Sequence, residues 1–239
     1  MLGSARVRAW VLIERAETPD GGALELWQRG DEFSIRSAGR ELMGSSQHGS
    51  EQRLSELAVA ALGQAALGQA APGKAAWPRV LIGGLGFGYT LAAALSVLGS
   101  KARVVVDEIS PAVIAWNRGA LGELAGQPLR DPRVLLRAVD VIDDLMHTEE
   151  PFEVILLDVD NGPSALSQAR NAWLYGERGL ARLNAVLSPG GVLGVWSAGP
   201  DPRFVKRLRA QRFRVDEHRV HAFGARGKRH TIWIAKRSS

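Results

Sequence analysis

The rhythm of apolar residues changes twice along the chain. Up to about residue 45, short apolar runs alternate with turn residues. Val7 to Arg15 and Ala23 to Gln28 flank Pro19-Asp20-Gly21-Gly22, and Phe33 to Arg36 and Glu41 to Met43 flank Ala38-Gly39. Turn signals at this spacing predict a small antiparallel sheet. From Ser50 the spacing becomes helical, with Glu51, Leu54, Leu57, Ala58 and Ala61 on one periodicity and Ser50 as the N-cap. Two copies of Leu-Gly-Gln-Ala-Ala, at 62–66 and 67–71, carry the helix end into a loop at Pro72-Gly73. Two copies are too few for a repeat architecture.

From Pro78 the pattern is strand, turn, helix, repeated. Strands are predicted at Val80–Ile82, Arg103–Val106, Val134–Ala138, Val154–Leu157 and Val192–Trp196. Helices are predicted at Thr90–Leu98, Pro111–Leu121, Trp173–Leu187 (closed by Ser188-Pro189-Gly190-Gly191) and Phe204–Gln211. Phe213–His221 and His230–Ala235 form a last antiparallel pair. Near-continuous apolar strands between helices belong to a parallel sheet covered on both faces, an α/β fold. The division this implies is a small β-domain at 1–48 and a Rossmann-like α/β domain at 49–239.

Composition narrows the chemistry. With no cysteine among 239 residues, disulfides, thiolate metal sites and a cysteine nucleophile are excluded. The five histidines (His48, His147, His218, His221, His230) are scattered, and no metal site is expected. His218 and His221, three apart in a predicted strand, fall on opposite faces. No stretch approaches the roughly 20 apolar residues of a membrane span, and no signal peptide is expected, so the location expected is cytoplasmic. No Gly-x-x-x-x-Gly-Lys-Ser/Thr phosphate loop or Gly-x-Ser-x-Gly nucleophile turn is present. The net charge is +5, unevenly spread. Residues 201–239 hold 12 Lys and Arg against 3 Asp and Glu, a balance of +9 that leaves −4 for the rest. Such a run is either a solvated outer face, the favoured reading, or a phosphate-binding face for nucleic acid.

Four constellations carry candidate chemistry. In Val80-Leu-Ile-Gly-Gly-Leu-Gly-Phe-Gly88 a strand ends in a glycine turn before a helix, so Gly83, Gly84, Gly86 and Gly88 let backbone approach a ligand at a helix N-terminus. The next strand ends in Asp107-Glu108, about 20 residues on, where an acid can accept ribose hydroxyls; Glu108 is the favoured one. Asp140 follows the third strand, placed to receive an adenine amino group, while Asp143 and Asp144 read as a solvated helix start. After the fourth strand comes Asp158-Val159-Asp160-Asn161-Gly162-Pro163. If the strand continued that far, Asp158 and Asp160 would share a side, a pair suited to binding a cationic amine and taking its proton. Turn capping by these residues is the alternative. Trp173 and Tyr175 either line an acceptor site or pack the core.

Together these residues resemble the spermidine synthase family of polyamine aminopropyltransferases. Leu24-Glu-Leu, Gly30-Asp31-Glu32 and Gly39-Arg40-Glu41-Leu42-Met43 are similar to its small N-terminal β-domain. Ile82 to Gly88 is similar to its glycine loop, Val106 to Pro111 to its ribose-binding strand end, and Val139-Asp140 to its adenine-binding acid. The resemblance implies a class I AdoMet-dependent methyltransferase-like fold, a seven-stranded sheet with a small N-terminal β-domain. It also implies a homodimer acting on a small-molecule amine, with S-adenosylmethionine or its decarboxylated form as co-substrate. Asp158 falls at the family's catalytic acid. The chain departs at two places: Asp158-Val-Asp160 is one residue tighter than Asp-x-x-Asp-Pro, and Gln47-His48-Gly49-Ser50-Glu51 lacks the tyrosine of Tyr-His-Glu. Three readings follow: aminopropyl transfer, methyl transfer from AdoMet to a small molecule or RNA, and a nucleoside-binding homologue without catalysis.

Overall fold

The computed structural model describes residues 8–18, 21–46, 48–63, 77–159, 162–163, 169–223 and 226–238. Gln47, the second Leu-Gly-Gln-Ala-Ala copy with its Pro72-Gly73 loop, and Asp160 lie outside these residues. The chain divides into two compact units, Met1–His48 and Gly49–Ser239.

In the first unit, β1 (Val11–Glu17), β2 (Ala23–Arg29), β3 (Glu32–Ser37) and β4 (Arg40–Gly44) form a four-stranded meander in chain order. Ser37 pairs with Arg40 across a two-residue turn in which both Ala38 (φ +48) and Gly39 (φ +73) are left-handed. That geometry matches the twist of the flanking strands. Leu26, Phe33 and Ile35 are its buried apolar residues.

In the second unit α1 (Gly49–Leu62) precedes an alternation of β5 (Arg79–Gly83), α2 (Tyr89–Val97), β6 (Arg103–Asp107), α3 (Pro111–Arg118), β7 (Val134–Arg137), α4 (Val141–His147) and β8 (Phe152–Leu157). Then come α5 (Ala169–Leu174), α6 (Glu177–Val186), β9 (Leu187–Ser197), α7 (Pro202–Ala210), β10 (Phe213–Phe223) and β11 (Arg226–Arg237). The sheet order is β10-β11-β9-β8-β5-β6-β7, with β5 to β9 parallel and β11 antiparallel between β9 and β10. The chain moves outward from β5 through β6 to β7, then returns to β5's other side with β8. Their carboxyl ends flank the crevice where sheets of this kind bind ligands.

Both faces are covered. Leu81, Ile155, Leu157 and Val195 pack with Leu145 of α4, Leu180 and Leu183 of α6 and Phe204 of α7. On β9, Gly194 lacks the Cβ that would crowd Leu54 and Ala58 of α1 at 3.0 and 3.4 Å, so α1 lies close on the sheet.

Several elements differ from their sequence expectation. Ser50 does not cap α1; Gly49 already belongs to the helix, and the Ser50 hydroxyl is engaged elsewhere. The helix expected over Trp173–Leu187 is two helices, parted around Gly176, which serves as N-cap of α6. Ser188 to Gly191 is not a turn before β9 but an irregular stretch within it, where the register jumps between Phe152/Leu187 and Val154/Val192. Residues 141–147 form the helix α4, with Asp140 as its N-cap.

Candidate functional site

The glycine turn follows directly from β5. Gly84 (φ +90), Gly86 (φ +53) and Gly88 (φ +81) are all left-handed. A Cβ on Gly84 would stand 2.6 Å from the carbonyl oxygen of Asp158, so the tips of β5 and β8 meet there backbone to backbone. The Gly84 amide donates to Asp107 O (2.9 Å) and the Asp158 amide to Gly83 O (3.0 Å), extending the sheet ladders past the strand ends. Asn117 of α3 donates from Nδ2 to Gly86 O (2.8 Å), and Gly88 caps α2. The result is a backbone concavity at a helix N-terminus.

Glu108 is buried, 8% exposed, beneath this turn. Its carboxylate accepts the Leu85 amide (2.9 Å) and the Ser110 amide (2.7 Å). Burial pushes its carboxyl up, and the surrounding amides, those of Leu85 and Ser110 first, hold it down. It braces the turn from the position expected for a ribose acid. Asp140 accepts the Ile142 amide at 2.8 Å as the N-cap of α4. Val141, next in the chain, is the residue a Cβ on Gly83 would strike at 2.9 Å, so Asp140 stands at the same sheet edge.

Asp158 is the first residue after β8. Its Oδ2 accepts the Thr90 hydroxyl of α2 at 2.8 Å, while Ser55 of α1 donates to Thr90 O at 2.7 Å. Burial raises the Asp158 carboxyl and the Thr90 hydrogen bond lowers it. A second acid joins it. Burial, and then repulsion from Asp158, push the Glu51 carboxyl up to about 7, against a hydrogen bond from Ser50. Tyr89 is raised by burial and by the charge of Glu51. The Ser50 hydroxyl lies 2.7 Å from Glu51 Oε2 and 2.8 Å from His230 Nδ1.

The sequence pointed to a pair of Asp158 with Asp160. β8 ends at Leu157 and Asp160 lies outside the described residues; the acid shown to feel the charge of Asp158 is Glu51. Glu51 had a signal, its place in the Gln47–Glu51 stretch. Thr90 and His230 had none, and Ser50 was read only as a helix cap, since the contacts reach across 68 residues for Thr90 and 180 for the Ser50–His230 pair. Asp144 is no solvated helix start: its side chain is 13% exposed and ion-paired with Arg137. Tyr175, 2% exposed, packs edge-on against Phe204 with ring centroids 5.6 Å apart. Its hydroxyl donates to Val159 O (3.4 Å), so it supports the acidic loop from the core. A separate recess of about 550 Å³ lies past Pro163, lined by Tyr175, Asp201, Arg203 and Arg207. Among the described residues no group of three or more His, Asp or Glu could hold a metal ion.

Solved structures share this architecture. The spermidine synthase from Thermotoga maritima superposes with a TM-score of 0.71 at 16% identity, over 95% of this chain and 73% of that one. A spermidine synthase in complex with the transition-state analogue AdoDATO also gives 0.71 at 16% identity, over 95% and 72%. The fold is that of the class I AdoMet-dependent methyltransferases. The O-methyltransferase from Bacillus cereus, in complex with SAH, matches at 0.53 and 19% identity, over 79% of this chain and 80% of that one. No known family's sequence profile and no curated protein matches the chain. In this methyltransferase fold the glycine turn, Glu108, Asp140 and Asp158 all lie at the carboxyl edge of the parallel strands, around the β5/β8 switch point.

Proposed function

We propose that the protein is a transferase that moves an alkyl group, by preference aminopropyl, from an adenosyl sulfonium donor to a small-molecule amine. The observation that carries this reading is the acidic pair: Asp158, beside the glycine turn and anchored by Thr90, and Glu51, whose carboxyl is raised by the charge of Asp158. Two carboxyls sharing a partly buried site suit a cation. An ammonium of the acceptor would replace their mutual repulsion with attraction, and Asp158 would then take its proton, freeing the nitrogen lone pair for attack. Decarboxylated AdoMet supplies the electrophilic carbon beside its sulfonium.

The residues fit that donor at the point where side chains would obstruct it. Gly84 has no room for a Cβ, and the turn's left-handed glycines keep backbone bare at the end of β5. Glu108 would offer carboxylate oxygens to ribose hydroxyls in exchange for some of its amides, and Asp140 would face the adenine. The breadth of the structural likeness supports aminopropyl transfer. The spermidine synthase matches span 95% of the chain, so they take in the N-terminal unit, whereas the O-methyltransferase match spans 79%. Under this proposal the N-terminal unit is a β-domain in its own right, and the active species is a cytoplasmic homodimer.

Methyl transfer is the second reading, favoured by the tightened loop after β8 and by the basic segment 201–239. The nucleoside released separates the two. Incubation with decarboxylated AdoMet and a panel of diamines is expected to release methylthioadenosine. Release of S-adenosylhomocysteine from AdoMet, with no turnover of the decarboxylated donor, replaces aminopropyl by methyl transfer. Turnover of neither donor leaves a binding protein.

A further inference from the structure

The amine chemistry above uses Glu51 and Asp158 but leaves a hydrogen-bonded chain behind Glu51 without a role. Ser50 is fully buried and His230 is 7% exposed. Ser50 Oγ sits between Glu51 Oε2 at 2.7 Å and His230 Nδ1 at 2.8 Å. The imidazole is held edge-on to Trp196, centroids 4.7 Å apart at 66°. A serine hydroxyl has one proton, so the two contacts permit two arrangements. With Glu51 ionised, Ser50 donates to Glu51 and accepts Nδ1–H of His230. With Glu51 protonated, Glu51 donates to Ser50, Ser50 donates to Nδ1, and the ring carries its proton on Nε2.

We propose that Ser50 and His230 are positioning residues that form a proton outlet for the acidic pair, carrying the proton released by the acceptor ammonium away from Glu51. In the step, the proton that Asp158 takes from the ammonium passes to Glu51, the second acid of the pair, and the Glu51 O–H bond then breaks as Ser50 Oγ gains that proton. Ser50 passes its own proton to Nδ1, the ring becomes imidazolium, and its Nε2 proton leaves to water. One proton enters at Glu51 and one departs at Nε2, with Ser50 unchanged; the ring then carries its proton on Nδ1, and the chain resets when Nδ1 gives that proton to water and Nε2 takes one from water. The charged groups facing it are Asp158 and Tyr89 toward Glu51, and Lys228 toward His230. Burial, then Lys228, hold His230 below its ordinary value, while Glu51 lies near 7, so neither end traps the proton. The purpose of the outlet rests on the amine-transfer reading; the hydrogen-bond chain itself does not.

The test therefore has one arm without substrate. In full-length protein with ¹⁵N-labelled histidine, with the His230 signals assigned by their loss in H230Q, the ring is expected to change from the Nε2–H to the Nδ1–H tautomer as pH rises through about 7. S50A, which removes only the hydroxyl oxygen, is expected to abolish that change. A single tautomer across the range, or a switch that persists in S50A, overturns the proposal. In the transfer assay, S50A and H230Q are expected to lower kcat about tenfold with the amine KM nearly unchanged, within the span that proton-transfer groups command. A normal kcat in both variants also overturns it. If wild type transfers nothing while the tautomer switch follows Ser50, the transfer reading fails and the coupled chain stands as a structural fact.

Discussion

Gly84 carries two constraints at once. Its φ of +90° lies where L side chains are strained, and a Cβ would press on the Asp158 carbonyl at 2.6 Å. A left-handed non-glycine residue costs roughly 1–2 kcal/mol, and forced overlap in a packed site typically about 1–3 more. G84A is therefore expected to lose about 2–5 kcal/mol, read as a lower urea midpoint at unchanged m-value. It should also lose nucleoside binding, because relief of the clash moves the end of β8. Asp158 makes a different demand. In D158N the amide oxygen still accepts the Thr90 hydroxyl but no longer takes a proton. Turnover should fall about 10²–10⁴-fold while donor affinity, by titration, stays within about threefold. Unchanged turnover would remove Asp158 from the chemistry. At this scale the sequence was informative wherever the signal was local. Gly84, Glu108 and Asp158 stand at strand ends, and their positions follow from apolar runs. Thr90 and His230 act through partners far along the chain, which no local pattern encodes.

Among the elements, α4 shows what buried polar groups do to legibility. Asp143 and Asp144 read as a solvated helix start, yet Val141, Ile142 and Leu145 are buried and Asp144 turns inward to Arg137 of β7. Beside it is Asp107, 1% exposed, and among the described residues no donor reaches either of its oxygens. Burial, then the charge of Asp144, push the Asp107 carboxyl up to about 8, against Arg137 and Arg79. A value of about 8 means that Asp107 holds its proton at neutral pH, beside the charge of Asp144. The folded value of about 8 exceeds the unfolded 3.8, so the folded state binds the extra proton. This contribution to stability is full at low pH, declines as the unfolded chain ionises, and is gone once pH has risen through about 8. D107N keeps a donor toward Asp144 and has no proton to lose. Its Tm is expected to gain on wild type steadily between about pH 4 and 8 and then hold a constant lead. Parallel Tm curves would show that Asp107 ionises normally. The strands fared better than the helices in the sequence reading. A fully covered strand such as Phe152–Leu157 is apolar throughout, whereas helix ends here are set by single residues, Gly119 closing α3 and Gly176 parting α5 from α6.

Across the second unit, the basic excess and the buried acids occupy different places. The basic excess of residues 201–239 lies mostly outward, with Arg203, Lys206, Arg209, Arg214, Arg219, Lys228 and Arg229 exposed while Phe204, Leu208, Phe213 and Ile232 point inward. That alternation gives α7, β10 and β11 a solvated face. A few acids lie inward at the switch point instead, with Asp107 and Glu108 buried and Glu51 and Asp158 half-buried. Neither fact is visible in the net charge of +5, because topology decides which residues share a surface. The interior acids bear on donor choice. AdoMet differs from its decarboxylated form by one carboxylate. Brought within about 8 Å of an ionised acid at an effective dielectric near 20, that carboxylate is opposed by roughly 2 kcal/mol. The decarboxylated donor should therefore bind at least about tenfold more tightly, a difference of roughly 1.4 kcal/mol. Glu51 ionises near 7, so the preference should widen as pH rises from 6 to 8. In E51Q it should shrink and lose that pH dependence, while methylthioadenosine, which has neither group, binds wild type and variant alike. Calorimetric titration of the three nucleosides at pH 6 and 8 measures each of these, and an equal affinity for both donors at pH 8 would mean that the acidic pair does not face the donor's chain end.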